Sequence, residues 1–219
     1  ALKIYESGNN PEKLARVYNN VGIVYKSQGE DFKALDYFVK CLKIQQKIGD
    51  NTVGITTTNI GNSYLNQKNY PKAFEYYTEA QRLFQKFPNE RGLGELYNNL
   101  GLYYKNTDND SKALESYAAA LNVFTSIDDK FGKSDTYFYI GEINFDKGNY
   151  SEALQNTTKS LQLAKELDIT EQVQNAEKRG LDTHRFNESY LMHSSTSPQY
   201  AIIASCDVAA AMMEPPGGT

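Results

Sequence analysis

Three asparagines, Asn20, Asn59 and Asn99, each stand two residues before a glycine, at Gly22, Gly61 and Gly101. A carboxamide carries an N–H donor and a C=O acceptor together, the complement of a peptide unit. A row of them can hold an extended chain by its backbone and leave selectivity to neighbours. Those neighbours include further carboxamides, Asn19, Asn62 and Asn98, and two lysines, Lys26 and Lys105. The lysines suit an acidic segment or a terminal carboxylate, whereas Glu95, Asp135, Glu142 and Asp146 would make the far end acidic. The other reading stays open at this point: the asparagines bridge adjacent helices or face water, and the lysines are solvated.

Other chemistry is thinly represented. Residues 1–180 contain no histidine, the commonest acid–base group, and no methionine. There is no nucleophile elbow, phosphate-binding glycine loop or HExxH, and Gly92 and Gly94 make only a lone G-x-G. His184, His193 and Cys206 match no metal-site spacing, and Cys41 falls at a packing position. No enzyme, cofactor or metal is expected. A net charge of −4 gives no electrostatic reason for a nucleic-acid partner. No apolar run of about 18 residues is present, and the stretch 201–213 is interrupted by Asp207. The chain opens at Ala1 without a signal-peptide pattern. A cytoplasmic location is the expectation, a periplasmic one the alternative.

The elements that must position these residues repeat. The glycines Gly22, Gly61, Gly101 and Gly141 recur at spacings of 39, 40 and 40, each followed twelve residues on by Ala34, Ala73, Ala113 or Ala153. Apolar spacing within each unit is helical: Tyr18, Val21 and Tyr25 share one face of a first helix, A, and Ala34, Leu35, Phe38 and Cys41 one face of a second, B. The connections SQGED, NQKNY, NTDND and DKGNY are polar, as tight helix–helix turns require. Pro11 and Pro71 suit a first helical turn, where a missing N–H costs nothing. Mid-helix glycine costs about 1 kcal/mol relative to alanine, so four in register predict a close approach of A to B, with the alanine as the matching hollow. Cys41, Ala80, Ala120 and Ser160 should lie where B meets the next A. The fourth unit is degenerate, with Asn144 and Thr157 where other units carry aromatics, and looser packing is expected there.

An aromatic, a large apolar residue, Gly, Tyr three on, then Ala, an aromatic and a small residue: this pattern resembles the tetratricopeptide repeat over roughly residues 1–180. The period exceeds the usual one of about 34 residues and is similar to the lengthened repeats of kinesin light chains, spindle-orientation adaptors, and bacterial peptide-sensing regulators and sensors. HEAT-type repeats are the structural alternative, disfavoured by the Gly-to-Ala register and the short A–B turn. The resemblance implies an all-α fold, an α-α superhelix of antiparallel helix pairs with A helices lining the concave face. It also implies that asparagine columns such as Asn20, Asn59 and Asn99 clamp a peptide backbone, across units one to three because Tyr139 breaks the column.

The expected organisation is the end of a truncated repeat's B helix at 1–10, since ALKIYESGNN aligns with CLKIQQKIGD. Four repeats and the A helix of a fifth follow at 11–180, then a non-repeat tail at 181–219. The tail has no lysine but holds both histidines and all three methionines. A frame-shifted or artificial end, a piece of another domain and a disordered extension all fit it. The functional expectation is a scaffold binding a protein or peptide partner. A sensory or regulatory arm of a larger bacterial signalling protein is the alternative, and the oligomeric state stays open.

Overall fold

The computed structural model describes residues 10–167, which form eight α-helices and no strand. They are α1 (Pro11–Ser27), α2 (Asp31–Ile48), α3 (Val53–Asn66), α4 (Tyr70–Lys86), α5 (Glu90–Asn106), α6 (Asp110–Ser126), α7 (Lys130–Asp146) and α8 (Tyr150–Glu166). Odd-numbered helices are the expected A helices and even-numbered ones the B helices. The expectations for residues 1–9, for a fifth A helix after residue 167 and for the tail lie outside the described residues. Contacts divide the chain into two units, Ala1–Ser116 and Tyr117–Thr219, the boundary falling within α6.

Local chemistry sets the helix ends. Side chains of Asn10, Asn69, Asn89 and Asp129 accept from the backbone N–H three residues on, at 2.9, 3.3, 2.8 and 3.0 Å, and so cap α1, α4, α5 and α7. Pro11 and Pro71 sit in the first turns of α1 and α4, as their fixed φ predicts. Every A–B turn needs one left-handed residue, seven places after the repeat glycine. Gly29 (φ 74°) and Gly148 (φ 77°) supply it in the first and fourth pairs, Lys68 (φ 57°) and Asp108 (φ 56°) in the second and third. The half-buried tyrosine three after the glycine is covered by a lysine from the following B helix. Lys33, Lys72 and Lys112 lie 5.3, 5.0 and 5.5 Å from the ring centres of Tyr25, Tyr64 and Tyr104.

Within the first unit, the repeat glycines do what their register predicts, with a different partner. A Cβ on Gly22 would lie 2.6 Å from the Phe38 ring, and one on Gly61 2.6 Å from the Tyr77 ring. The B-helix aromatic therefore lies flat over the bare A-helix backbone, and the alanine four residues earlier completes the buried seam. In the second unit, Thr157 replaces the aromatic, yet α7 and α8 are not loosened at this point. The Thr157 methyl would be 2.7 Å from a Cβ on Gly141 and the Ala153 carbonyl 3.4 Å from it, so the helices have closed around the smaller side chain. The second small residue of each unit is buried, as expected. Cys41 meets Thr56 of the next A helix (3.6 Å), while Ser160 meets Ser134 of its own pair.

Tyr77 and Tyr117 occupy the same register on α4 and α6 and are both fully buried. The Tyr77 hydroxyl donates to Asn62 Oδ1 at 2.7 Å, whereas that of Tyr117 has no hydrogen-bond partner among the described residues. At the register of Asn62 the third repeat carries Leu102. Tyr77→Phe is expected to cost about 1–2 kcal/mol, because it strands a buried carboxamide oxygen. Tyr117→Phe removes an unmet donor and should be neutral or stabilising by up to about 1 kcal/mol. Urea unfolding of both variants checks this; equal losses would contradict it.

Candidate functional site

The candidate residues separate by burial. Asn20 is exposed on α1. Asn59 is half-buried on α3, and its Nδ2 donates to Asn19 Oδ1 at 3.4 Å, linking the first two A helices. Asn99 is half-buried on α5, with Nδ2 donating to the Glu95 carbonyl of its own helix at 2.8 Å. Bridging between A helices thus applies to Asn59 and Asn19, and Asn20 is the most open of the column. Asn62 requires a correction. It is 7% exposed and its oxygen is held by the Tyr77 hydroxyl, so its carboxamide belongs to the packing of α3 on α4. Asn98 is equally buried, at 7%.

Lys26 and Lys105 are half-buried near the ends of α1 and α5. Burial pulls the Lys26 ammonium below the usual lysine range, opposed by the negative charges of Asp31 and Glu95. Glu95 reaches Arg91 at 3.4 Å on α5. In the second unit, Phe138 is buried, Tyr139 stacks on Tyr117 with ring centres 5.5 Å apart, and Phe145 meets Tyr150 edge-on. Burial pushes the Tyr139 hydroxyl up to about 12. These rings are engaged within their own unit.

Two of the expected residues, Asn19 and Asn20, come together with Arg16 and Ile55 around a cavity of about 600 Å³ between α1, the end of α2 and the start of α3. Glu12 completes its α1 wall, and the 49–52 connection forms its opposite side. That connection turns at Gly49 (φ 70°) and is held by Asp50, whose Oδ1 accepts from the Thr52 N–H and the Thr52 hydroxyl, both at 2.7 Å. Gln45 Nε2 donates to Thr52 Oγ1 at 2.8 Å. A carboxylate only accepts, so the Thr52 proton points to Asp50, and Gln45 must present its NH2 to Thr52. Gln45 is 4% exposed, and its carbonyl oxygen is left with no partner among the described residues. An unmet buried acceptor costs about 1–3 kcal/mol.

Asp50, Thr52 and Gln45 were not among the candidates, though the repeat register held the signal. Eleven residues after the B-helix alanine stand Gln45, Phe84 and Phe124; nine before the next A-helix glycine stand Thr52, Gly92 and Gly132. In the first unit the Phe84 ring would lie 2.8 Å from a Cβ on Gly54 and 2.8 Å from one on Gly92. In the second, Phe124 packs over Gly132 in the same way. The first junction alone of these three replaces that aromatic–glycine lock with a polar relay beside the cavity.

With the helix pairs and their glycine register described, comparison with known proteins decides the family. The tetratricopeptide repeat profile matches residues 13–86, 52–126 and 93–166, most of the chain. The chain belongs to the tetratricopeptide repeat family. Among solved tetratricopeptide-type folds, it is similar to a Rap protein complexed with competence and sporulation factor (TM-score 0.69, 15% identity, 94% of this chain and 67% of that one). It is also similar to aspartyl phosphate phosphatase F of Bacillus subtilis (TM-score 0.67, 14% identity, 96% and 63%). A third likeness is to a STAND signal-transduction ATPase with a tetratricopeptide repeat sensor from Pyrococcus horikoshii (TM-score 0.64, 16% identity, 95% and 35%). At these identities the likeness establishes the fold, the all-α superhelix of helix pairs.

A short stretch has a second likeness. It is 65% identical over 46 residues to a lysine decarboxylase of Pseudomonas aeruginosa, covering 21% of this chain and 6% of that enzyme. The biodegradative arginine decarboxylase of Escherichia coli K12 matches at 42% over 59 residues, 26% of this chain and 8% of the enzyme. The chain thus spans under a tenth of these relatives. Among the described residues no group of His, Cys, Asp and Glu is arranged to hold a metal, and no helix is long and apolar enough to cross a membrane.

Proposed function

We propose that this tetratricopeptide array is a non-catalytic scaffold that binds an extended peptide segment of a protein partner along the A helices of its first three repeats. The observation that carries this reading is the cavity where Arg16, Asn19, Asn20 and Ile55 converge, with Asn59 and Asn99 continuing the carboxamide column on α3 and α5. Asn20 and Asn59 contact the peptide backbone, Asn99 and Lys105 extend the track, and Lys26 supplies positive charge on its floor. Asn62 and Asn98 support the track from within the packed helices. Nucleic acid and membrane are not partners in this reading.

A second reading makes the array the sensory arm of a larger signalling protein. The likeness to the Pyrococcus signal-transduction ATPase with its tetratricopeptide repeat sensor, and to a Rap protein complexed with competence and sporulation factor, favours it. The two are compatible, since a sensor of this kind works by binding.

The test is site-specific photocrosslinking. A benzophenone side chain placed at Asn20 should capture the partner segment. The same group at Phe32, 78% exposed on α2, should capture none. Equal capture from both positions would refute a binding face made by the A helices.

A further inference from the structure

The cavity between α1 and α3 contains features that packing does not explain. Its first junction has given up the buried phenylalanine and the facing glycine that close the next two, and carries Gln45 and Thr52 instead. The relay from Gln45 through Thr52 to Asp50 has a fixed polarity and ends on a buried carbonyl without a donor. The cavity is lined by two carboxylates, Glu12 and Asp50, against one cation, Arg16. The charged lining is thus net negative by one and stands beside an unmet buried acceptor, which suits a compact, positively charged group with several N–H donors.

We propose that this cavity is a subsite for a primary ammonium group, from either the N-terminus or a lysine side chain of the bound segment. The proposal rests on the peptide-binding reading above and gives it an anchoring point. Asp50 and Glu12 neutralise the ammonium, and the Gln45 carbonyl takes one of its three N–H donors. An ammonium fits this role better than a guanidinium, being small enough to be surrounded on three sides. Gln45 lines the cavity, and its carbonyl oxygen is buried without a partner among the described residues. The 49–52 connection lines it too, so an ammonium held there is sensed by the Gln45 amide and by that connection.

The experiment uses the whole chain, ¹⁵N-labelled and titrated with three probes. n-Butylammonium stands for a lysine side chain, alanyl-alaninamide for a peptide N-terminus, and N-acetyl-alanyl-alaninamide is the uncharged control. One or both amines should saturably shift the Gln45 side-chain amide and the backbone amides of residues 49–52, while the acetylated control does not. The amine that binds more tightly identifies the source. Asp50→Asn should weaken it at least tenfold. Gln45→Met, similar in length and shape and lacking the unmet carbonyl, should weaken it about threefold without lowering the melting temperature.

The proposal is overturned if the acetylated probe shifts the same amides with equal affinity, or if no probe moves them, leaving a water-filled cavity only. The small amines bind without any peptide track. Failure of the ammonium subsite is thus separate from failure of the asparagine column, which is tested on peptides.

Discussion

Phe84→Ala is expected to destabilise the first unit by about 3–5 kcal/mol, the range for emptying a buried phenylalanine site. The ring is 5% exposed and lies against bare backbone on two A helices, Gly54 of its own pair and Gly92 of the next. Neither glycine has a side chain that can move into the space, so the cavity stays open and the junction of the second and third repeats loses this ring-on-backbone contact. For a chain of this size, 1 kcal/mol corresponds to about 2–4 °C in melting temperature, so a drop of roughly 10 °C should follow. The same truncation at the equivalent position of the first repeat, Gln45→Ala, removes a side chain that already carries an unmet acceptor and should cost far less. Thermal and urea unfolding of the two variants compare them directly. Equal losses would mean that the first junction is held as tightly as the second, and would contradict a first junction opened for binding.

This contrast also marks what could be read from the residues alone. The helix pairs, their turns and the glycine positions follow from spacing, because a repeat multiplies each weak local signal. The partner of each glycine did not: the alanine looked like the matching hollow, yet rings from Phe38 and Tyr77 cover the backbone, a matter of side-chain direction that spacing does not encode. The left-handed turn residue is visible as Gly29 and Gly148 but hidden at Lys68 and Asp108, exposed residues held in that conformation by helix-end bonds from the Asn69 and Asn109 N–H groups to the Tyr64 and Tyr104 carbonyls, both at 2.9 Å. Asn62 has the residue type of a ligand, but its purpose depends on one hydroxyl, that of Tyr77, fifteen residues away. Gln45 and Thr52 were legible only as departures from the other repeats, a signal carried by what is missing.

The asparagine column gives the second large effect. Three carboxamides, each worth about 1 kcal/mol net in hydrogen bonds to a peptide backbone, together represent about 3 kcal/mol, or roughly a hundredfold in affinity. Asn20 is free to engage at once. Asn59 must exchange its 3.4 Å contact with Asn19, and Asn99 its bond to the Glu95 carbonyl, so these two contribute through their remaining oxygen acceptors or by rotating. None of the three holds the core, and the triple variant Asn20→Ala, Asn59→Ala, Asn99→Ala should fold with little change in melting temperature. The loss would then be one of binding.

The most direct measurement is therefore an affinity on defined peptides. Linear peptides enriched from a randomised library on the whole chain would be titrated calorimetrically against the parent and the triple alanine variant, with folding of both verified by circular dichroism. If the A-helix column holds the peptide backbone, the enriched peptides bind the parent and lose about a hundredfold in affinity on the variant, the equivalent of about 3 kcal/mol. Equal affinity for the two proteins, both folded, would contradict that and move the binding surface away from the A-helix column.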